Sequence, residues 1–412
     1  MNSLESDALT PRPQYMEHLA AFAGKHVIKV ITGVRRCGKS TLLRLYRAWL
    51  KDECHVPDER MVVIDLDLLE NEALREKHAL HQYVLDRLVP GQTTYVFIDE
   101  VQRCSGFEDA VESLYARPGT DLYVTGSNAE LMSPELGTLL SGRYVEIPVY
   151  TYSFHEYAQA RHAPEGYETA LFPEYMRWGG FPELATLDSP SAKNAYLEGI
   201  YNTVLVKDIA ERHTVRDMPT LIRIAEYLYG NIGSLISTAK ISGALISGGI
   251  KTSRATVNNY IAHLTDAQLF YTAVRHDLRG KERLTMPTKH YASDVGLRNH
   301  VAGDNALDSG HVLENIVYLE LRRRGYNVYV GMTQGGEVDF IARKMQDIAY
   351  IQVSETVTDP RTRERELSSF RGTPVGTPCY LITNDTLPPT GMGGVRHVNV
   401  VEWLLGRDTT LA

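Results

Sequence analysis

The sequence predicts that the chain opens as an α/β fold, a parallel sheet covered by helices on both faces, and two observations carry that expectation. The first 150 residues hold five apolar runs of strand length, HVIKVIT, MVVIDLD, TYVFIDE, DLYVTGS and YVEIPVY, with helical patterns between them. Runs that stay apolar at successive positions suit strands buried on both faces. The second observation is the stretch GVRRCGKS, which follows the first run and leads straight into TLLRLYRAWL, whose apolar residues recur at helical spacing.

At 412 residues the chain exceeds one core, and roughly 100 to 200 residues per domain divides it into two to four. Apolar residues at 43% and charged residues at 23% are ordinary for a soluble chain. No stretch approaches the ~20 apolar residues that cross a bilayer, and MNSLESDALTPRPQY lacks the apolar centre of a signal peptide, so a cytoplasmic protein is expected. Cys37, Cys54, Cys104 and Cys379 are scattered without metal-ligand spacing, so neither a zinc site nor a disulfide framework is suggested. The net charge of −8 argues against a protein coated in nucleic acid and leaves room for one basic face.

Four segments are expected. Residues 1–150 form the P-loop core, and 151–215, where strand signals give way to helical patterns such as SAKNAYLEGIYNTVLVKDIAERHTV, form a helical lid. Residues 216–305 combine helices with a hairpin, and 306–412 open on a helix followed by strand, strand, helix and strand.

The chemistry starts at Gly33-Val34-Arg35-Arg36-Cys37-Gly38-Lys39-Ser40, followed by Thr41. In a G-x-x-x-x-G-K-S loop the glycines let backbone N–H groups converge on phosphate. The lysine reaches the outer phosphates, and the hydroxyl of Ser40 ligates magnesium. ATP and Mg2+ are the expected ligands. Asp99 and Glu100 end the apolar run YVFIDE, where Asp99 would hold the metal and Glu100 would take a proton from the attacking water. Ser127 and Asn128 follow the run LYVTG, and either contact the γ-phosphate or make an ordinary turn. Arg143 in LLSGRYVEIPVY is either a surface arginine or a finger reaching a neighbouring subunit's γ-phosphate.

GVRRCGKS, VFIDE, VTGSN and SGR, in this order and at these strand ends, resemble the Walker A, Walker B, sensor 1 and arginine-finger positions of the AAA+ superfamily. With WGGFP, KHYASDVGLRN, LENIVYLELRRRGY and GGEVDF, nearly the whole chain resembles a prokaryotic ATPase family whose C-terminal domain has no assigned function. The resemblance implies an ATPase that works as a homo-oligomer, with Asn128 sensing the γ-phosphate and Arg143 acting from the next protomer.

In the third segment LISTAKISGAL, a glycine-rich turn, a helix with Ser253 as N-cap candidate and a hairpin make the layout of a winged helix. Nine basic residues against four acidic ones between 231 and 300 contrast with the acidic total. DNA is therefore an expected partner, contacted by Lys251, by Arg254 and Asn258 on the recognition helix and by Arg279, Lys281 and Arg283 on the wing. The alternative is a winged helix used for protein packing.

The fourth segment resembles the PD-(D/E)xK nuclease core, a restriction-endonuclease-like α/β domain in which carboxylates hold magnesium and a lysine activates water. Glu314 and Asp339 match the acidic positions, whereas Gln352 stands where an acid is usual and Ser354 where lysine is expected. A structural or DNA-contacting role is therefore expected in place of cleavage. The combined expectation is an oligomeric ATPase engaging DNA, with branched or junction DNA the expected form. Its alternative is a nucleotide-dependent regulatory or defence switch answering to a protein partner. A metabolic kinase would leave the basic winged helix without a purpose.

Overall fold

The computed structural model describes residues 9–126, 142–276, 286–303, 308–389 and 391–411. Ser127, Asn128, Arg279, Lys281 and Arg283 fall outside the described residues. The chain divides into two compact units, one of residues 1–150 with 266–268 and one of 151–265 with 269–412.

The first unit is a five-stranded parallel sheet, in the order β2-β3-β4-β1-β5. The strands are β1 (Ile28–Thr32), β2 (Met61–Asp65), β3 (Thr94–Asp99), β4 (Thr120–Thr125) and β5 (Tyr144–Pro148). They coincide with the five apolar runs. Helices Lys39–Asp52, Lys77–Leu85 and Phe107–Tyr115 supply the crossovers. One face packs Val96, Ile98 and Val124 against Leu80, Val84, Val111 and Leu114, and burial of this kind contributes roughly 25 cal/mol per Å2 of apolar surface. On the opposite face the polar core is paired: Lys29 bonds Asp121, whose other oxygen accepts Gly24 N–H at 2.8 Å and Tyr123 O–H at 3.1 Å.

In the second unit, helices Phe154–Ala160, Phe172–Trp178 and Pro190–Thr203 come first, the last running on with π-helical geometry over Val204–Glu211. Helices Met218–Tyr229, Thr238–Ser247 and Arg254–Asp266 precede an antiparallel pair, β6 (Phe270–Ala273) and β7 (Lys289–Ala292). Ile236 exchanges both backbone hydrogen bonds with Thr288 just before β7. After helices Val295–Ala302 and Ser309–Arg323 comes a second five-stranded sheet, ordered β12-β11-β10-β9-β8. Its strands are β8 (Asn327–Thr333), β9 (Gly336–Lys344), β10 (Asp347–Ser354), β11 (Cys379–Thr383) and β12 (Arg396–Asn399), antiparallel from β8 to β10 and parallel from β10 to β12.

This sheet has two more strands than the sequence pattern gave. β8 carries Gly331 beside a register shift, and glycine inside a run reads as a breaker. Here it fits a crowded place, because a Cβ at Gly331 would come within 3.1 Å of both Ile341 and Val338 side chains. β12 is a four-residue polar run, RHVN, with no alternation to read. The outer edge of β8 is not bare, since Val330 N–H donates to Val274 at 2.9 Å and His276 N–H donates to Val330 at 3.0 Å.

Candidate functional site

The phosphate loop begins where fully buried β1 ends and finishes where helix Lys39–Asp52 starts. A Cβ at Gly33 would lie 2.3 Å from the Val149 carbonyl oxygen and 2.6 Å from Cys37 Sγ, so only glycine lets the chain turn against the end of β5. Gly38 has φ 102° and enters the helix from a left-handed conformation, which glycine adopts freely. Lys39 folds back over its own loop, its Nζ donating to the carbonyls of Gly33 at 2.8 Å and Val34 at 3.4 Å. Ser40 and Arg36 are exposed, Arg35 and Thr41 half-buried, and Val34 and Cys37 buried. The loop thus offers a helix N-terminus, an ammonium and an accessible hydroxyl, the features that attract phosphate and its cation.

The carboxyl edge of the sheet supplies the acids. β3 and β4 run side by side, and the Thr125 hydroxyl donates to Asp99 Oδ1 while accepting the Glu100 N–H at 3.1 Å. One side chain thereby orients both carboxylate-bearing residues. Glu100 sits at φ 52°, unusual for a residue with a side chain, and its carboxylate accepts from Gln102 Nε2. Burial raises its pKa, opposed chiefly by the charge of Lys39, which favours a proton acceptor over a permanent anion. Asp65 pairs with Asp99 in the register of β2 and β3, and burial, with Asp99 contributing, raises its pKa.

Arg143 lies at the other end of the sheet. Its carbonyl accepts the N–H of Ile28, the first residue of β1, and its guanidinium pairs with Glu112 at 3.1 Å. It is therefore remote from its own phosphate loop.

Arg12 was not singled out from the sequence. Its buried guanidinium donates to the Cys37 carbonyl at 3.2 Å and the Tyr150 carbonyl at 2.9 Å, tying the back of the loop to the segment just after β5. A lone arginine in a polar leader carries no pattern that would announce this.

In the second unit, Lys251, Arg254 and Asn258 are exposed, and Ser253 Oγ caps its helix by accepting Thr256 N–H at 3.1 Å. Val257 and Leu264 bury the opposite face, leaving Arg254 and Asn258 outward and one turn apart.

The nuclease-like positions converge, with a residue that spacing did not place there. Lys289 Nζ, from β7, lies 2.9 Å from Glu314 Oε1, 2.7 Å from Glu337 Oε1 and 3.2 Å from Asp339 Oδ1. Tyr291 O–H donates to Glu314 at 2.6 Å. Asp339 Oδ2 accepts Val353 N–H at 3.0 Å. Gln352 turns aside, accepting Asp339 N–H at 3.2 Å and donating to Glu366 at 2.8 Å, and Ser354 donates to Thr356. Burial opposes the Lys289 charge, but Glu314, Asp339 and Glu337 outweigh it and hold its pKa above the ordinary range. Burial, then Glu314, pushes Asp339 up to about 7.

The two centres differ in fit. Around the phosphate loop, the exposed Ser40 hydroxyl and the Thr125-held Asp99 suit magnesium. Between Glu314 and Asp339 an ammonium already stands where a metal ion would be held, so the residues there do not fit one.

This fold and loop are those of a P-loop ATPase of the AAA class, and residues 25–158 match the AAA domain family. Residues 169–308 match a domain of unknown function, DUF8612. The chain belongs to the same family as an uncharacterized protein of Haemophilus influenzae, with which it is 36% identical over 403 residues, 97% of this chain and 100% of that one. The uncharacterized protein MJ1544 of Methanocaldococcus jannaschii is 28% identical over 364 residues, 83% of this chain and 78% of its own. A solved Walker-type ATPase of Pyrococcus abyssi shares the fold with a TM-score of 0.50 at 14% identity, covering 71% of this chain and 96% of that one. Among the described residues no helix is long and apolar enough to cross a membrane.

Proposed function

We propose that the chain hydrolyses ATP at the Gly33–Ser40 loop as a homo-oligomer and uses the reaction to change its hold on DNA, with branched DNA the favoured form. The observation that carries the reading is Thr125 joining Asp99 and Glu100 at the sheet edge that the loop also faces. Mg2+, held by Ser40 and Asp99, neutralises phosphate charge when bound. Lys39 gives up its loop carbonyls to the outer phosphates, and Glu100 accepts the proton of the attacking water at its carboxylate. Arg143, remote from its own loop, serves the site of an adjacent subunit, and Asn128 contacts the γ-phosphate. The exposed Lys251, Arg254 and Asn258, with Arg279, Lys281 and Arg283, bind the DNA backbone and groove.

The test is the ATPase rate with no DNA and with single-stranded, duplex and four-way-junction DNA, in wild type and Glu100→Gln. Stimulation by DNA, with turnover reduced at least ~100-fold in the variant while nucleotide still binds, is expected. A rate indifferent to every DNA overturns the DNA reading and favours a switch answering to a protein.

A further inference from the structure

The sequence resemblance in the fourth segment implies a magnesium ion between Glu314 and Asp339, and the cluster there is closed from two sides. Lys289 comes from beneath, its side chain only 2% exposed, and bonds both carboxylates as well as Glu337. Gly233 comes from above: at φ 69° its N–H donates to the His290 carbonyl at 3.1 Å, and a Cβ there would lie 2.9 Å from Glu314 Oε2. No side chain fits between that turn and the carboxylate.

The carboxylate oxygens also have other neighbours. Glu314 Oε1 accepts from both Lys289 and Tyr291, and Oε2 faces His311 Nδ1 at 3.7 Å. Asp339 spends one oxygen on Lys289 and the other on the Val353 N–H. A divalent ion needs several oxygen ligands and room for water. Here an ammonium donates to the same oxygens, and the Gly233 turn lies against Glu314 Oε2.

We propose that Lys289 is the resident cation of this centre, a tethered replacement for a metal ion, and that the centre is an ionic fastening between the hairpin strand β7 and the C-terminal sheet and not a hydrolytic site. The inference deepens the reading of the fourth segment as inactive and is independent of ATP hydrolysis, so either can fail alone. The fastening joins three pieces of chain: strand β7 through Lys289 and Tyr291, helix Ser309–Arg323 through Glu314, and β9 through Glu337 and Asp339. A lysine is suited to the task because its charge comes covalently attached and does not vary with the metal supply.

The test is Mn2+ binding to the nucleotide-free full-length chain, followed by electron paramagnetic resonance and calorimetry. Wild type and Asp339→Asn are expected to bind Mn2+ identically. Lys289→Met, which removes the ammonium at similar length, is expected to gain a single Mn2+ site that disappears when Asp339→Asn is added. A wild-type Mn2+ site lost in Asp339→Asn overturns the proposal and makes Lys289 the water-activating lysine of a metal-dependent nuclease. A folded Lys289→Met that gains no site overturns it as well. Should Lys289→Met fail to fold, wild type against Asp339→Asn decides, with magnesium-dependent nicking of supercoiled DNA as the second readout.

Discussion

Asp294 Oδ2 accepts the N–H of Gly180 at 2.8 Å across 114 residues of chain, while Oδ1 accepts the N–H of Gly296 at 2.8 Å. Two motifs of unassigned purpose, WGGFP and the SDVG of KHYASDVGLRN, thus turn out to be the halves of one joint. A Cβ at Gly179 would lie 1.9 Å from Asp294 Oδ1, and one at Gly296 would lie 1.9 Å from the Trp178 carbonyl oxygen, so both sides of the joint need glycine. Asp294→Ala leaves two buried N–H groups unpaired and is expected to cost ~2–4 kcal/mol, read from chemical denaturation.

The same carboxyl sets a pH dependence. Complete burial raises its pKa to about 6, although backbone N–H groups pull the other way. The folded chain therefore holds this proton more tightly than the unfolded chain. Its stabilising contribution is full below the ordinary carboxyl range and is lost as the pH rises from about 4 through about 6. Subtracting the stability profile of Asp294→Asn from that of wild type should expose this fall, and a flat difference across the window would show that the proton is not held.

Thr125→Val keeps the shape of β4 but deprives Asp99 of a donor and Glu100 N–H of an acceptor. Turnover is expected to drop ~10–100-fold with the melting temperature nearly unchanged, as for other groups that orient a metal ligand. Wild-type turnover in this variant would mean that Asp99 is oriented by something else.

Arg143 and Glu100 lie at opposite ends of the sheet, which makes subunit mixing informative. Arg143→Ala and Glu100→Gln are each expected to be inactive alone, and a mixture should regain part of the rate, because some interfaces then combine an intact finger with an intact acid. Loss of the half-exposed pair with Glu112 is worth at most ~1 kcal/mol and leaves the fold unaffected. Normal hydrolysis by Arg143→Ala would remove the finger from the mechanism.

Arg254 is exposed at the start of its helix. Its replacement by alanine should weaken duplex binding and lower the slope of log affinity against log salt by about 1, if its contact is with a phosphate. The readout is fluorescence anisotropy over a salt series. An unchanged slope would assign Arg254 to a base edge or to no contact.

The first unit was legible because its signals are local. Each strand is a contiguous apolar run, and the phosphate loop occupies eight successive residues between a strand and a helix. The nuclease-like centre was legible only in part, since Glu314 and Asp339 announce themselves through GHVLEN and GEVDF, whereas Lys289 lies 25 and 50 residues away on another element. In the sequence it counted simply as a positive charge on a basic segment. Arg12 and Thr125 escaped notice for a related reason, as their work is to hold backbone and neighbours, and such tasks have no residue pattern. Asp65 sits inside a strand run and shows its place beside Asp99 only once the β2–β3 register is known.

The strip from Val274 to His276 against β8 has an inheritance consequence. A fragment beginning after residue 305 would lose that strip together with Lys289, exposing a ready-made edge for strand addition by another molecule and leaving Glu314, Glu337 and Asp339 to repel one another. Such a fragment is unfit to be exchanged as a cassette. Gene fusions and truncations that respect the second unit as a whole should stay soluble, whereas those that cut it at the start of its final helix-and-sheet portion should not.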